Sequence, residues 1–360
     1  MPGRRIRNIQ TVVFDRQAKG QGLMASRDDR VEVSFASDEN FVCGLLVTAA
    51  SMAKYMPPAV TLSINVLDGG IHEDTFQSFA AKVRQIHEKT EFRRLPINEE
   101  VFAAYPRWAG SRMTYARLLL ADLLPDVDHV IYTDVDYIWL TDVTELWKLR
   151  DDGVIFQSSL DGVPDTERKE RVWCENNALP FDANRYFCAG LSFYNLILFR
   201  KENIVKKVSD FLDIHTDVPF VDQTAMNVLL GERVHLLPQK WQRFSRDVTS
   251  DDIETGCAIH FAGEGPWRKL GFWTNAITDT MLIWHKFNAR LHGISTWRSL
   301  RRWYGAGEIV WRRALFHVAS VPFLNNLFFA ALRISGRETY VSYFKTWCRR
   351  LKNINRVVVQ

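Results

Sequence analysis

The chain is poor in cysteine and lacks a leading apolar segment. Its five cysteines are odd in number, and no two of them have the close spacing of a zinc ribbon or a redox motif. They are Cys43, Cys174, Cys188, Cys257 and Cys348. We interpret them as reduced thiols of a cytosolic protein rather than as a disulfide framework. Because no apolar run follows the early arginines before Val31, we expect no secretory signal and a location on the cytoplasmic side of any membrane.

The chain also has little net charge, and that charge is distributed unevenly. The formal net charge is +4, but residues 291–360 contain 12 Lys/Arg and two acids, a local charge of +10 against −6 for residues 1–290. This contrast predicts a boundary near residue 290 and an anionic partner for the basic tail, either lipid headgroups or nucleic acid. The apolar fraction of 47% and the 45 aromatic residues exclude a largely disordered chain.

Short β-rich runs alternate with segments of helical periodicity between residues 31 and 261. We predict strands at 31–36, 60–67, 129–133, 154–157, 191–198 and 257–261, and helices at 41–55, 72–89, 112–124 (with Ser111 as N-cap) and 222–230. The alternation favours an α/β fold in which helices cover both faces of a mostly parallel sheet. We divide the chain into an irregular extension (1–30), one α/β domain (31–290) and a helical tail (291–360).

An acidic pair follows the predicted strand at 129–133, in the sequence HVIYTDVDYIW. Asp134 and Asp136 are separated by one residue, so an extended backbone places both carboxylates on the same side. Two such groups suit a hard divalent cation, and ligands of parallel sheets bind beyond the carboxyl ends of the strands. The alternative is a solvated turn, because the pattern DxD is common by chance.

Six stretches of sequence occur in one order between residues 31 and 267. They are FASDEN (35–40), TYARLLL (114–120), IYTDVDYIW (131–139), YFCAGLSFYNL (186–196), VDQTAMN (221–227) with LPQKW (237–241), and HFAGEGPW (260–267). In this order they resemble the family 8 glycosyltransferases, retaining enzymes that include bacterial lipopolysaccharide galactosyl- and glucosyltransferases and glycogenin. The resemblance covers about two thirds of the chain. It implies a GT-A fold, a UDP-sugar donor and transfer of a hexose to a glycan or glycolipid acceptor.

The resemblance also implies a divalent metal, Mn²⁺ or Mg²⁺, held by Asp134, Asp136 and His260. It further implies contacts with the donor nucleotide sugar along the whole domain. Besides the three metal ligands, the residues implied are Asp38, Asn40, Arg117, Val135, Cys188, Ala189, Gly190, Asp222, Gln223, Gly263, Gly265 and Arg268. Without the family, Asp38 and Asp222 are typical helix N-caps, Arg117 is a surface charge and His260 is structural.

Two residues depart from the family pattern. Cys188 stands where the family usually has asparagine, and a thiol cannot replace both hydrogen bonds of an amide. Gly265 stands where the family usually has a lysine that neutralises the diphosphate, so we expect Arg268 or Lys269 to take over that role. Both departures weaken an assignment of UDP-galactose as the donor, but not the expected fold or metal site.

Three residues are implied in the chemistry: Gln223, Asp222 and Asp161. The resemblance places Gln223 next to the anomeric carbon, and an amide is a poor nucleophile. We therefore favour front-face attack, in which the leaving diphosphate helps to deprotonate the acceptor. A double displacement with Asp222 as nucleophile stays open.

The basic tail mixes arginine with tryptophan, a composition that suits the surface of an anionic membrane. The uncharged segment 314–332 is interrupted by His317, Pro322 and two asparagines, so an interfacial or core helix is favoured over a spanning one. Nucleic acid is not expected, because no recognised motif is present. Packing of the tail as a small helical unit or a homodimer contact is the alternative.

The leading hypothesis is an active transferase of bacterial lipopolysaccharide or surface-polysaccharide biosynthesis, peripheral on the inner face of the cytoplasmic membrane. The alternatives are a degenerate nucleotide-sugar-binding protein and a self-glucosylating primer like glycogenin.

Overall fold

The computed structural model describes residues 29–108, 110–263, 265–267 and 277–320, together with Leu327 and Ala330. The strands are β1 (Arg30–Ser37), β2 (Thr61–Asp68), β3 (Thr90–Pro96), β4 (His129–Thr133), β5 (Tyr137–Trp139), β6 (Phe156–Leu160), β7 (Phe187–Asn195), β8 (Val234–Leu236), β9 (Arg243–Phe244) and β10 (Ala258–His260). The α-helices are α1 (Val42–Tyr55), α2 (Glu73–Ile86), α3 (Leu120–Leu123), α4 (Val143–Trp147), α5 (Pro164–Asn176), α6 (Leu196–Lys201), α7 (Ile204–Ile214), α8 (Val221–Leu230), α9 (Ser250–Thr255), α10 (Asp279–Leu291), α11 (Thr296–Arg301) and α12 (Ala306–Ser320).

The main sheet of the described residues has seven strands in the order β3-β2-β1-β4-β7-β6-β8. Strands β1 to β4 pair in parallel, whereas β7 runs antiparallel to both of its neighbours, β4 and β6. The predicted α/β class and mostly parallel sheet are therefore confirmed. The reversal at β7 places the start of that strand beside the end of β4, so the amide N–H of Asp134 donates to the carbonyl oxygen of Gly190 at 2.7 Å.

A second sheet of three short strands, in the order β5-β10-β9, lies next to this edge. Tyr137 of β5 pairs with His260 of β10 in antiparallel register, and His260 pairs in parallel with Phe244 of β9. The N–H of Phe261 donates to the carbonyl oxygen of Asp136 at 2.8 Å. This sheet fixes two segments, separated by more than 100 residues in sequence, against each other.

Apolar residues form one core on each face of the main sheet. On one face α1 and α2 pack against β1 and β2, and on the other α7 and α8 pack against β6 and β7. Residues 31–35 of β1 are buried throughout, which is expected for a central strand with helices on both sides. Two hydrophobic layers of this kind hold the carboxyl ends of β1 and β4 in fixed positions.

Several predicted element bounds are wrong. Strand β6 begins at Phe156 rather than 154, and β10 ends at His260 rather than 261. Strand β7 spans Phe187–Asn195 rather than 191–198, because the Asn195 side chain accepts a hydrogen bond from the N–H of Leu198 and so starts α6. The predicted α-helix at 112–124 is a 3₁₀ helix at Met113–Leu119 followed by the single turn of α3.

Some elements were not predicted at all. Strand β3 carries charged residues at the edge of the sheet, β5 is only three residues long, and α5 is strongly charged. Each lacks the apolar period on which the sequence prediction relied.

The described part of the tail packs onto the α/β domain. Leu300, Tyr304 and Ile309 belong to the same core as α1 and β1. Arg312 is 1% exposed and pairs with Glu308 at 2.7 Å. No helix within the described residues has the length and apolarity needed to span a bilayer. The predicted irregular extension, up to residue 28, and residues 331–360 lie outside the described residues, and the boundary near residue 290 stays a prediction.

Candidate active site

A cavity of about 650 Å³ opens at the carboxyl ends of β1 and β4. It brings together most of the residues singled out in the sequence. Those that line it are Asp38, Arg117, Asp134, Val135, Asp136, Asp161, Cys188, Ala189, Gly190, Asp222, Gln223, His260, Gly263 and Gly265. Asn40 is exposed and is not among the lining residues, and Arg268 lies outside the described residues.

Asp134, Asp136 and His260 form a cluster of the kind that binds a divalent cation. One ligand atom from each lies within 4.8 Å of the others. The space between them is kept open by Gly190, because a Cβ at that position would come within 2.8 Å of His260 Cε1 and 3.2 Å of Asp134 Oδ2. Two carboxylates and an imidazole are a suitable donor set for Mn²⁺, so the residues fit a metal site.

Arg117 joins the cluster to α8. Its guanidinium is 4% exposed and lies 2.9 Å from Asp134 Oδ1 and 3.1 Å from Asp222 Oδ2. The hydroxyl group of Thr114 donates a hydrogen bond to Asp222 Oδ1 at 2.7 Å. Burial raises the pKa of Asp134 to about 6, although Arg117 lowers it. Arg117 is therefore a buried structural cation rather than a surface charge.

The His260 ring is held between other rings and an amide. Its ring centroid lies 4.3 Å from that of Tyr137, with an interplanar angle of 12°. Gln242 Nε2 lies 3.1 Å from His260 Nδ1. An amide has both a donor and an acceptor, so Gln242 can pair with either neutral tautomer of the imidazole. Burial lowers the pKa of His260, but the neighbouring Asp136 outweighs it and raises that pKa to about 10.

The Gln223 amide is fixed by three hydrogen bonds. Its Oε1 accepts from the N–H of Ala189 at 3.0 Å, and its Nε2 donates to Tyr186 Oη at 2.8 Å and to Asp161 Oδ2 at 3.2 Å. Burial raises the pKa of Asp161 to about 6. The amide therefore has one orientation relative to the cavity.

Behind this amide lies a buried carboxyl group, Glu170 of α5. Its Oε2 accepts from Thr224 Oγ1 at 3.0 Å, its side chain also interacts with Tyr186, and the residue is 0% exposed. Burial raises the pKa of Glu170 to about 7. Glu170 thus supports the first turn of α8, where Asp222 and Gln223 lie.

The remaining predicted residues have simpler surroundings. Asp38 accepts a hydrogen bond from the N–H of Asn40 at 2.8 Å, so it caps a short 3₁₀ helix as well as lining the cavity. Cys188 is buried, and burial raises the pKa of its thiol, although the neighbouring His260 lowers it. Gly263 has a φ of +73°, a conformation that favours glycine.

Sequence reasoning missed several residues of the site. Gln242 follows directly on the stretch LPQKW and could have been included with it, and Tyr186 begins the stretch YFCAGLSFYNL. Arg246 also lines the cavity, and Glu170 lies behind it. Both residues lie in charged segments, where no sequence signal separates them from surface residues.

The main sheet is mostly parallel but reversed at its fifth strand in space, β7, and a small second sheet beside it contributes one residue to the candidate metal site. This is the architecture of the GT-A glycosyltransferases. The family model described as glycosyl transferase family 8 matches residues 32–271, and the chain belongs to that family.

Two relatives are similar over most of their length. General stress protein A of Bacillus subtilis (strain 168) is 25% identical over 261 residues, which cover 67% of this chain and 88% of that protein. Lipopolysaccharide 1,3-galactosyltransferase of Salmonella typhimurium is 25% identical over 264 residues, which cover 68% of this chain and 74% of that protein.

Solved structures share the fold. A crystal structure of the galactosyltransferase LgtC with donor and acceptor sugar analogues has a TM-score of 0.59 at 24% identity, covering 75% of this chain and all (100%) of that chain. The apo structure of the bifunctional glycosyltransferase WbbM has a TM-score of 0.60 at 18% identity, covering 75% of this chain and 52% of that chain.

Proposed function

We propose that the protein transfers a hexose from a UDP-sugar to a glycan or glycolipid acceptor, with retention at the anomeric carbon, in the synthesis of bacterial lipopolysaccharide or another surface polysaccharide. The observation that carries this proposal is the cluster of Asp134, Asp136 and His260 at the cavity. The similarity to a lipopolysaccharide galactosyltransferase supports the acceptor class.

Asp134, Asp136 and His260 would hold a divalent cation, Mn²⁺ or Mg²⁺. Bound there, such an ion supplies Lewis-acid stabilisation of the charge that develops on the leaving diphosphate. Arg117 would hold the Asp134 carboxylate in position, because it is also paired with Asp222 on α8. The buried cation also favours the ionised form of Asp134, which is the form that binds a metal.

The surroundings of α8 favour front-face attack over a double displacement. Asp222 is 1% exposed, and both of its oxygens are in contact with Arg117 or Thr114, so its charge is already neutralised. Gln223 lines the cavity with an amide that Ala189, Asp161 and Tyr186 hold in one orientation. A fixed amide dipole stabilises developing positive charge on the sugar without forming a covalent bond to it. Asp161, next to this amide, would orient the sugar or the acceptor.

The test is release of UDP from a panel of UDP-sugars with Mn²⁺, comparing the wild type with Asp134→Ala/Asp136→Ala. We expect slow hydrolysis of one sugar in the wild type and its loss in the double variant. The control is Asp210→Ala/Asp213→Ala, which removes two exposed carboxylates of α7 outside the cavity. Absence of both UDP release and Mn²⁺-dependent nucleotide binding in the wild type would refute the proposal. Binding without release would indicate a degenerate nucleotide-sugar-binding protein, and a gain of hexose in the intact mass would indicate a self-glucosylating primer.

We further propose that the protein associates with the inner face of an anionic membrane through its tail. The described part of the tail exposes Trp297, which is 47% exposed, beside Arg298, Arg301 and Arg302. Each basic residue near such a surface contributes about 1 kcal/mol. Flotation with phosphatidylglycerol vesicles tests this: we expect binding that salt weakens and that Arg298→Gln/Arg301→Gln/Arg302→Gln reduces. Equal flotation of the variant and the wild type, or none with either, would contradict it.

A further inference from the structure

The charges that line the cavity are unbalanced. Within the described residues its lining contains five aspartates but only two arginines and no lysine; the remaining basic side chain, His260, is a proposed metal ligand. A divalent cation offsets two of the negative charges, and a nucleoside diphosphate adds at least two more. A substrate of that kind therefore needs a protein cation that is free to bind it.

Arg117 is not such a cation. It is 4% exposed and is held by Asp134 and Asp222 at 2.9 and 3.1 Å. It also donates to the carbonyl oxygen of Ala189 and, at 2.9 Å, to that of Thr114. Its charge and its donors are used within the protein, so it has little left for a ligand.

Arg246 has the opposite properties. Its side chain is 20% exposed, and among the described residues none accepts a hydrogen bond from it by the usual geometry. Its ion pair is with Asp247, its neighbour in sequence, at 3.6 Å, and that carboxylate is 53% exposed. A pair of this length at the surface contributes little and does not hold the guanidinium.

The position of Arg246 follows from the second sheet. Phe244 of β9 pairs with His260 of β10, and the N–H of Ser245 donates to the carbonyl oxygen of His260 at 2.8 Å. The Arg246 guanidinium lies over the Phe244 ring at 4.9 Å, and that ring lies 5.4 Å from the imidazole of His260 at an interplanar angle of 25°. The Phe244 ring therefore lies between the Arg246 guanidinium and His260, a proposed metal ligand.

We propose that Arg246 binds the diphosphate of the UDP-sugar, on the side of the cavity formed by β9 and β10. This inference rests on the proposed function and adds to it the residue that neutralises the phosphates. A guanidinium presents two parallel N–H groups to two phosphate oxygens, and the contact with the Phe244 ring, 4.9 Å from its centroid, keeps the cation on this side of the cavity. Gly265, which also lines the cavity, has no side chain that could do this. Sequence reasoning had assigned this role to Arg268 or Lys269.

The affinities of UDP and of uridine, measured with Mn²⁺ by competition calorimetry, separate this role from a structural one. In Arg246→Gln we expect UDP affinity to fall about tenfold, the effect of losing a charged hydrogen-bond donor, and uridine affinity to stay within about twofold. Arg246→Lys keeps the charge and should recover part of the loss. The control is Arg84→Gln, since Arg84 also lies over a phenyl ring, at 4.8 Å from Phe92, but does not line the cavity.

If the UDP affinity of Arg246→Gln stays within about twofold of the wild-type value, the assignment is overturned. If only the KM of the acceptor rises, Arg246 binds the acceptor and not the diphosphate, and the assignment is overturned as well. An equal loss of uridine and UDP affinity would also overturn it, because the variant would then have disturbed the sheet around His260. A wild type that binds no UDP refutes the proposed function itself. By contrast, if the wild type and Arg246→Gln bind UDP equally tightly, only the assignment of Arg246 is refuted.

Discussion

Replacing Glu170 by glutamine should make the protein more stable at alkaline pH and leave it nearly unchanged at acid pH. Glu170 is 0% exposed, and burial raises its pKa from 4.5 to about 7. The folded state therefore holds this proton more tightly than the unfolded state, so the contribution of Glu170 to stability falls as the pH rises from about 4.5 to 7. Each pKa unit corresponds to about 1.4 kcal/mol, so ionisation in the folded protein costs about 3 kcal/mol.

Glutamine retains the shape of the protonated carboxyl group and can still accept a hydrogen bond from Thr224. We expect Glu170→Gln to match the wild type within about 0.5 kcal/mol at pH 4.5 and to exceed it by about 3 kcal/mol at pH 8. Urea unfolding followed by tryptophan fluorescence at half-unit pH steps measures the difference. The pKa of Asp161 is also raised, with the same sign, but this carboxyl is present in both proteins and its contribution cancels.

The control is Glu175→Gln, which neutralises an exposed carboxylate on the same helix. It should change stability by less than about 0.5 kcal/mol at every pH. A difference between Glu170→Gln and the wild type that is the same at pH 4.5 and pH 8 would refute the reasoning, because it would mean that Glu170 does not change its ionisation state over that range.

Three further changes test the candidate site. Gly190→Ala places a Cβ 2.8 Å from His260 Cε1, so we expect the Mn²⁺ affinity measured by calorimetry to fall at least about tenfold. The circular dichroism spectrum should stay unchanged, and an unchanged Mn²⁺ affinity would contradict the metal site. Arg117→Met leaves the buried carboxylate of Asp222 and the partly exposed one of Asp134 without their cation, so urea unfolding should show a loss of about 3–5 kcal/mol. A loss below about 1 kcal/mol would mean that these pairs are not structural. Thr48→Val removes a hydroxyl group that lies 2.8 Å from the carbonyl oxygen of Val135 and 2.7 Å from that of Tyr137. We expect the free energy of unfolding to fall by about 1–3 kcal/mol in the same assay, and no fall would show that these carbonyl groups find other partners.

The sequence determined the class of fold and pointed to Asp134 and Asp136, which follow β4, as proposed metal ligands. Alternation of apolar runs is a local property, and it predicted the parallel sheet. The expectation of an extended backbone from Asp134 to Asp136 is wrong, because the chain bends at residues 135–136. The order of the six motifs indicated the family, and the family model confirms it. The predictions of the fold class and the family are confirmed, because they depend on residues close together in the chain and on a fixed order of motifs.

Only the tertiary structure decided which polar residues line the cavity and which have their hydrogen bonds and ion pairs within the protein. Pairing of β5 with β10 brings His260 beside Asp136 and carries Gln242 and Arg246 to the same place. Glu170 lies on a charged helix that reads as exposed, but it is fully buried. Contacts of this kind depend on the packing of the whole chain around two hydrophobic cores, and the local order of residues does not contain that information.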